Sequence, residues 1–216
     1  MLRSILHAAG VTPSILGSIE TDDGVRAFES HNTTPEAPDL WLHLRNTVDA
    51  ERDVMLMEVS SQGLKYDRVL GVPFKIACFL NIGRDHISPI EHPTFEDYFQ
   101  SKLRIFEQCE NAVVNLDTER AEEVLAAAAS AKQLVTLHTE HVPAASTEDP
   151  AASARGRAAD FCAADIETVD GGIAFTVEER CAAGTTRHGI VLGMMGFFNV
   201  DNALAACAIA RLMGFD

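Results

Sequence analysis

Apolar residues come along this chain in short runs of strand length, separated by stretches whose apolar positions recur with a helical period. Val54 to Val59 and Lys75 to Ile82 are nearly continuous runs without polar alternation, the pattern of parallel strands covered on both faces. Ala112 to Leu116 and Leu134 to His138 repeat it, and Ser14 to Ile19 is a weaker strand candidate. Helical spacing appears first in Met1 to Gly10, through Leu2, Ile5, Leu6 and Ala9, with a glycine stop. A second helix is predicted after His31-Asn32-Thr33-Thr34-Pro35-Glu36. There Thr34 suits the cap, Pro35 the first helical position, and Leu40, Trp41, Leu44 and Val48 the buried face. Thr94 caps a third helix, Asp97 is spaced to complete a capping box, and Phe95, Phe99, Leu103 and Phe106 form its apolar stripe. Glu119 to Lys132 reads as an alanine-rich helix. Strands alternating with helices predict an α/β fold with a mostly parallel, doubly wound sheet.

The pattern changes near His141. Pro143 to Asp160 is rich in Ala, Ser, Thr, Pro and Gly and reads as a loop. Cys162–Thr168, the turn Asp170-Gly171-Gly172, Ile173–Glu178 and Gly189–Leu192 then suggest a small antiparallel sheet. A small-residue helix, Ala203–Met213, closes the chain behind Gly196–Asn202. One domain over residues 1–216 is expected. It comprises an α/β core (1–140), a loop (141–160), a small antiparallel β region (160–193) and a closing helix (196–214).

Composition narrows the function. A net charge of −15 argues against sequence-independent nucleic-acid binding, which needs a cationic surface. The five cysteines (Cys78, Cys109, Cys162, Cys181, Cys207) are odd in number and scattered, which reads as reduced thiols. No apolar run reaches the roughly 18–20 residues of a membrane span, and the N-terminus lacks the order of a signal peptide. The expectation is a soluble cytoplasmic chain.

Candidate chemistry gathers where strands end. Glu58 and His86 each lie just past an apolar run, and if those strands are neighbours a carboxylate and an imidazole converge on one sheet edge. Oxygen-plus-nitrogen ligation there suits Mg²⁺ or Mn²⁺ with phosphate oxygens completing the shell. A helix cap at Glu58 and a hydrogen-bonded core histidine at His86 are the alternatives. Lys102 falls between Phe99 and Phe106, where it either snorkels to water or has a lowered pKa and takes up CO₂ as a carbamate. The start at Thr33-Thr34-Pro35 offers hydroxyls and helix N–H groups to an anion, or is an ordinary cap. Arg68 could clamp a phosphate or carboxylate, or be a solvated surface residue. Asn199 and Asn202 could read a base edge, although Asn199 could simply cap the last helix. The other histidines (His7, His43, His92, His138, His141, His188) show no ligand-spaced pair, and no G-x-S-x-G is present.

Taken together, HNTTPEAPDL, MEVSSQGLKYDR, FLNIGRDH, FEDYFQSKLRIF and GFFNVDNALAA resemble, in order and over nearly the whole chain, the central ATP-binding domain of the Mur ligases. They are most like the UDP-N-acetylmuramoyl-tripeptide synthetase (MurE) branch. The resemblance implies an incomplete P-loop NTPase-like domain and ATP and Mg²⁺ as cofactors. Thr33, Thr34, Ser60 and Arg68 match contacts to the UDP-muramoyl peptide. Glu58 and His86 match magnesium ligands, Lys102 matches the carbamylated lysine, and Asn199 and Asn202 match asparagines near the adenine. It implies a peptidoglycan-precursor ligase that forms an acyl phosphate with ATP, which the amino group of an amino acid then displaces.

The sequence departs from that pattern at Gln62, where histidine is usual, and at Tyr66, where glutamine is common. Its link from His86 to Pro93 is also long and lacks the acid two residues after the histidine. No G-x-x-G-K-[ST] occurs, although a phosphate loop belongs just before the helix that Met1–Gly10 resembles. The absence of its strand should leave sheet edges exposed. The chain therefore reads as truncated at both ends and inactive alone. Two alternatives stand beside this reading. One is a folylpolyglutamate or poly-γ-glutamate synthetase-like ligase, and the other is a non-catalytic nucleotide-sugar-binding module.

Overall fold

A computed structural model of the chain describes residues 1–84, 87–140 and 158–215. His86, His141 and most of the loop expected over Pro143–Asp160 lie outside the described residues. The chain divides into two compact units, one formed by Leu2–Pro73 with Arg84–Gln108, the other by Phe74–Gly83 with Cys109–Asp216.

The first unit opens with helix α1 (Leu2–Ala8), followed by three short strands, β1 (Ser14–Leu16), β2 (Glu20–Asp22) and β3 (Ala27–Glu29). Helix α2 (Ala37–Asp49), strand β4 (Met55–Met57) and helix α3 (Ser61–Lys65) come next, and helix α4 (Phe95–Leu103) with a 3₁₀ turn (Arg104–Gln108) completes it. Its sheet has the order β3-β2-β1-β4. β1 pairs in parallel with β4, whereas β2 and β3 add antiparallel. The sequence indicated β1 and β4 but not β2 and β3, whose three-residue length carries too few positions to show a period. β4 is half-buried along its length rather than fully covered, and it is a terminal strand of its sheet. Leu6, Leu16, Leu40, Val69, Phe99 and Phe106 are buried here.

The second unit is one six-stranded sheet of order β10-β9-β8-β7-β6-β5. β5 (Phe74–Phe79), β6 (Cys109–Asn115), β7 (Gln133–Thr139) and β8 (Phe161–Val169) run parallel. β9 (Gly172–Cys181) and β10 (Gly184–Leu192) continue it antiparallel. The expected antiparallel region is therefore an extension of the parallel sheet, joined where Leu137 pairs with Phe161. Helix α5 (Ala121–Ala127) buries Val124 and Leu125, and helix α6 (Phe198–Leu212) buries Val200, Ala203, Leu204 and Ala208 in a core with Val113, Leu137, Phe161, Phe175 and Val177. Small residues on α6 let the helix lie close to the strands, which explains its alanine content.

Several local expectations change. α2 begins at Ala37, with Glu36 at the cap position and no side-chain cap bond, because the Thr34 hydroxyl is committed elsewhere. Thr94 does cap α4 by accepting from the Asp97 N–H at 3.1 Å, but the Asp97 carboxylate turns away to Lys65 and His92 instead of closing a capping box. α6 starts at Phe198, so Asn199 lies inside its first turn and is not its cap. β4 and β5, the strands that precede Glu58 and His86, are not paired. Each is terminal in a different sheet.

Candidate functional site

In the first unit, β4 runs into α3 through Glu58, Val59 and Ser60, and this junction collects most of the residues singled out from the sequence. Ser60 caps α3, its Oγ accepting from the Gly63 N–H at 3.0 Å. The Thr34 hydroxyl, 1% exposed, accepts from the Ser60 N–H at 2.8 Å and donates to the Glu58 carbonyl at 3.2 Å. One hydroxyl thus satisfies two backbone groups that the end of β4 leaves unpaired. The fit is close: a Cβ on Gly63 would stand 2.8 Å from Thr34 Cγ2.

Arg68 reaches back from beyond α3. Its Nη1 donates to the Thr34 carbonyl at 3.2 Å and its Nη2 pairs with Glu36 at 2.7 Å. Its Nε is buried and has no hydrogen-bond partner among the described residues. A buried guanidinium donor left over beside two threonines suits an oxyanion. The Glu58 carboxylate points to the turn after β1, where its Oε2 accepts from the Ser18 N–H at 2.8 Å and the Ser18 hydroxyl at 2.5 Å. Ser18 Oγ in turn lies 3.1 Å from Thr33 Oγ1. Thr33, Thr34, Glu58, Ser60 and Arg68 therefore form one connected cluster, with Ser18 as a bridging member that the sequence reading missed. The β1–β4 pairing brings Ser18 to Glu58 across 40 residues of chain.

Apart from Arg68, the cluster's side-chain polar atoms are oxygens, the chemistry Mg²⁺ prefers, and a single carboxylate with hydroxyls leaves positions for phosphate oxygens and water. Among the described residues no three His, Cys, Asp or Glu side chains are grouped to hold a metal unaided. Lys102 is half-buried on α4 with its Nζ 5.5 Å from the Tyr98 ring centroid.

In the second unit, Asn199 is 6% exposed, and its Nδ2 donates to the Met195 carbonyl at 2.8 Å while its Oδ1 lies 3.4 Å from Asn202 Nδ2. The pair braces the turn that leads into α6. Asn202 is partly exposed whereas Asn199 is buried, so it is the better placed of the two to meet a ligand. Asp201, on the same helix, accepts from the hydroxyl of Thr139 at the end of β7 at 2.6 Å. Burial pushes Asp201 above the usual carboxylate range, against the Thr139 bond.

Three histidines that looked isolated in the sequence are each held by a carboxylate: His43 by Asp23 at 2.7 Å, His92 by Asp97 at 2.6 Å and His138 by Asp117 at 2.8 Å. Asp97 lies in the first turn of α4 and Asp117 just after β6, and 20 or more residues separate the first and third pairs, so no sequence spacing announced them. No helix among the described residues is long and apolar enough to cross a membrane.

The family model for the Mur ligase middle domain matches residues 1–210. A UDP-N-acetylmuramyl-tripeptide synthetase of Bifidobacterium longum is 38% identical over 89% of this chain and 34% of its own length. A UDP-N-acetylmuramoyl-L-alanyl-D-glutamate–2,6-diaminopimelate ligase of Clostridium acetobutylicum is 30% identical over 96% of this chain and 38% of its own. The chain spans well under half the length of these relatives. A solved structure of a UDP-N-acetylmuramoyl-L-alanyl-D-glutamate–2,6-diaminopimelate ligase shares the fold with a TM-score of 0.74 at 23% identity, covering all of this chain and 40% of that one. MurF from Acinetobacter baumannii does so at 0.62 and 20%, again over 40% of its chain. From the family match, the order of its motifs and the fold, this chain belongs to the Mur ligase middle-domain family.

Proposed function

We propose that the chain is the middle domain of an ATP-dependent ligase that adds an amino acid to a UDP-N-acetylmuramoyl peptide in the cytoplasm, during synthesis of peptidoglycan precursors. The observation that carries this reading is the connected cluster of Thr33, Thr34, Ser60 and Arg68, whose Nε has no partner among the described residues, beside the Glu58 carboxylate. The threonines, Ser60 and Arg68 orient the anionic muramoyl peptide so that its free carboxylate meets the phosphoryl donor. Glu58, with His86 and a carbamylated Lys102 by family resemblance, would hold magnesium, which when bound offsets the charge developing on phosphoryl and acyl oxygens. Asn202, braced by Asn199, meets the adenine of ATP. The substrate carboxylate takes the terminal phosphoryl group and ADP departs. The incoming amine then bonds to the acyl carbon and phosphate leaves.

The test uses the full-length protein that contains this chain, supplied with ATP, Mg²⁺, a UDP-muramoyl dipeptide and an amino acid. Phosphate release is expected only when all are present, and Glu58→Gln should lower it by about a hundred-fold or more. Turnover of folate-type substrates in place of the muramoyl peptide, or an unchanged rate in Glu58→Gln, would overturn the reading. The 216-residue chain alone, whose sequence has no G-x-x-G-K-[ST], is expected to release no phosphate from ATP.

A further inference from the structure

The first unit contains a polar chain, centred on a buried histidine, that the cluster above does not use. His92 is completely buried, its Nε2 lies 2.8 Å from Ser61 Oγ and its Nδ1 2.6 Å from Asp97 Oδ2. The same carboxylate oxygen accepts from Lys65 Nζ at 2.7 Å, and Lys65 also donates to the Glu91 carbonyl at 3.0 Å. These bonds from Lys65 and His92 hold Asp97 below the usual carboxylate range. An ionised carboxylate only accepts, so Nδ1 carries a proton and Nε2 faces the Ser61 hydroxyl. The imidazole also packs on Tyr98, with ring centroids 5.1 Å apart, and Tyr98 is the ring beneath the Lys102 ammonium.

The order Ser–His–Asp and its distances are those of a hydrolytic triad. Burial argues for a different use, because Ser61 is 9% exposed and the imidazole has no accessible surface. A nucleophile needs a substrate within reach, whereas a tether needs water excluded. Three elements meet at His92. Ser61 is the first residue of α3, immediately after Ser60; Asp97 and Tyr98 belong to α4; and His92 itself ends a loop closed by the Ile87–His92 bridge and the Ser88 N–H to His92 carbonyl bond at 2.9 Å. The far end of the α3–α4 pair is fixed separately, by Arg104 donating to the Leu64 carbonyl and to Asp67, each at 2.6 Å.

We propose that His92 is a positioning residue, locking the Ser60–Ser61 start of α3 to the α4 face that carries Tyr98 and Lys102, and so setting the geometry of the substrate cluster. This rests on the function proposed above. Because Arg104 still docks the far end, loss of His92 loosens the substrate end without unfolding the unit.

The experiment pairs kinetics of the full-length ligase with hydrogen exchange. In His92→Ala, KM for the UDP-muramoyl dipeptide should rise about ten- to a hundred-fold, the scale of lost outer-shell partners. His92→Gln can reach Ser61 with its amide and should recover most of that rise. His92→Asn, which reaches only toward Asp97, should not. Ser61→Ala should match His92→Ala, and the double variant should be no worse than either. Amide exchange in the 216-residue chain should quicken over Ser61–Lys65 in His92→Ala and stay unchanged in β8. Unchanged exchange over α3, or equal KM rises for Gln and Asn, would overturn the positioning role, as would labelling of Ser61 by a fluorophosphonate. A wild-type enzyme without ligase activity would defeat the proposed function, and the exchange result would still decide the tether.

Discussion

Asp23 offers the most quantitative test of how the first unit holds together. It sits in the turn between β2 and β3 with a side chain of zero exposure and four donors around it. His43 Nδ1 and Asn46 Nδ2, both on α2, reach its Oδ2 at 2.7 and 2.8 Å. The Val25 and Arg26 N–H groups reach its Oδ1 at 2.9 and 2.7 Å. Burial on its own raises this carboxyl, but the bonds from His43, Asn46 and the two backbone donors outweigh it, and the pKa falls from 3.8 to about 2. A fall from 3.8 to about 2 is worth roughly 2–3 kcal/mol. A depressed folded pKa gives stability that is present above the unfolded value and lost as pH falls through the folded value. The window therefore runs from about pH 4 down to about pH 2.

Asp23→Asn removes the charge and turns an NH₂ toward one of the four donors. It should lower unfolding free energy at pH 7 by about 2–3 kcal/mol. The difference from wild type should shrink by about 2 kcal/mol between pH 5 and pH 2. Urea titrations followed by Trp41 fluorescence measure both quantities, because this single tryptophan lies on α2, the helix that carries His43 and Asn46. If the two proteins lose stability in parallel over that range, or if the variant matches wild type at pH 7, the carboxylate does not act as described.

Thr34→Val keeps the shape of the side chain but strands the Ser60 N–H, and should destabilise the first unit by about 1–3 kcal/mol, read by the same urea titration. Gly63→Ala should cost a similar amount through the 2.8 Å clash with Thr34 Cγ2. Moving Thr34 should also weaken UDP-muramoyl peptide binding in calorimetry of the full-length enzyme. Among the cysteines, all free, Cys181 is exposed and should alkylate first at pH 8. Cys78, whose thiol burial pushes up to about 12, should resist until the chain unfolds, as mass spectrometry of iodoacetamide-treated protein would show.

Features that depend on neighbours along the chain were legible in the sequence. The apolar runs at β5, β6 and β7, the Thr94 cap and the Asp170-Gly171 turn all follow from local period and local sterics. The motif order identified the family for the same reason, since each motif is a contiguous string. Tertiary structure decided what depends on separation in space. It moved Thr34 from a helix cap to a brace for Ser60, because a hydroxyl bonds whichever backbone group the fold brings within 3 Å. It assigned β4 and β5 to different sheets, since strand pairing is set by long-range contacts that an apolar run does not encode. It also gave carboxylate partners to His43, His92 and His138. The cost of a buried polar group without a partner makes such pairs necessary, but nothing in their spacing says which acid supplies it.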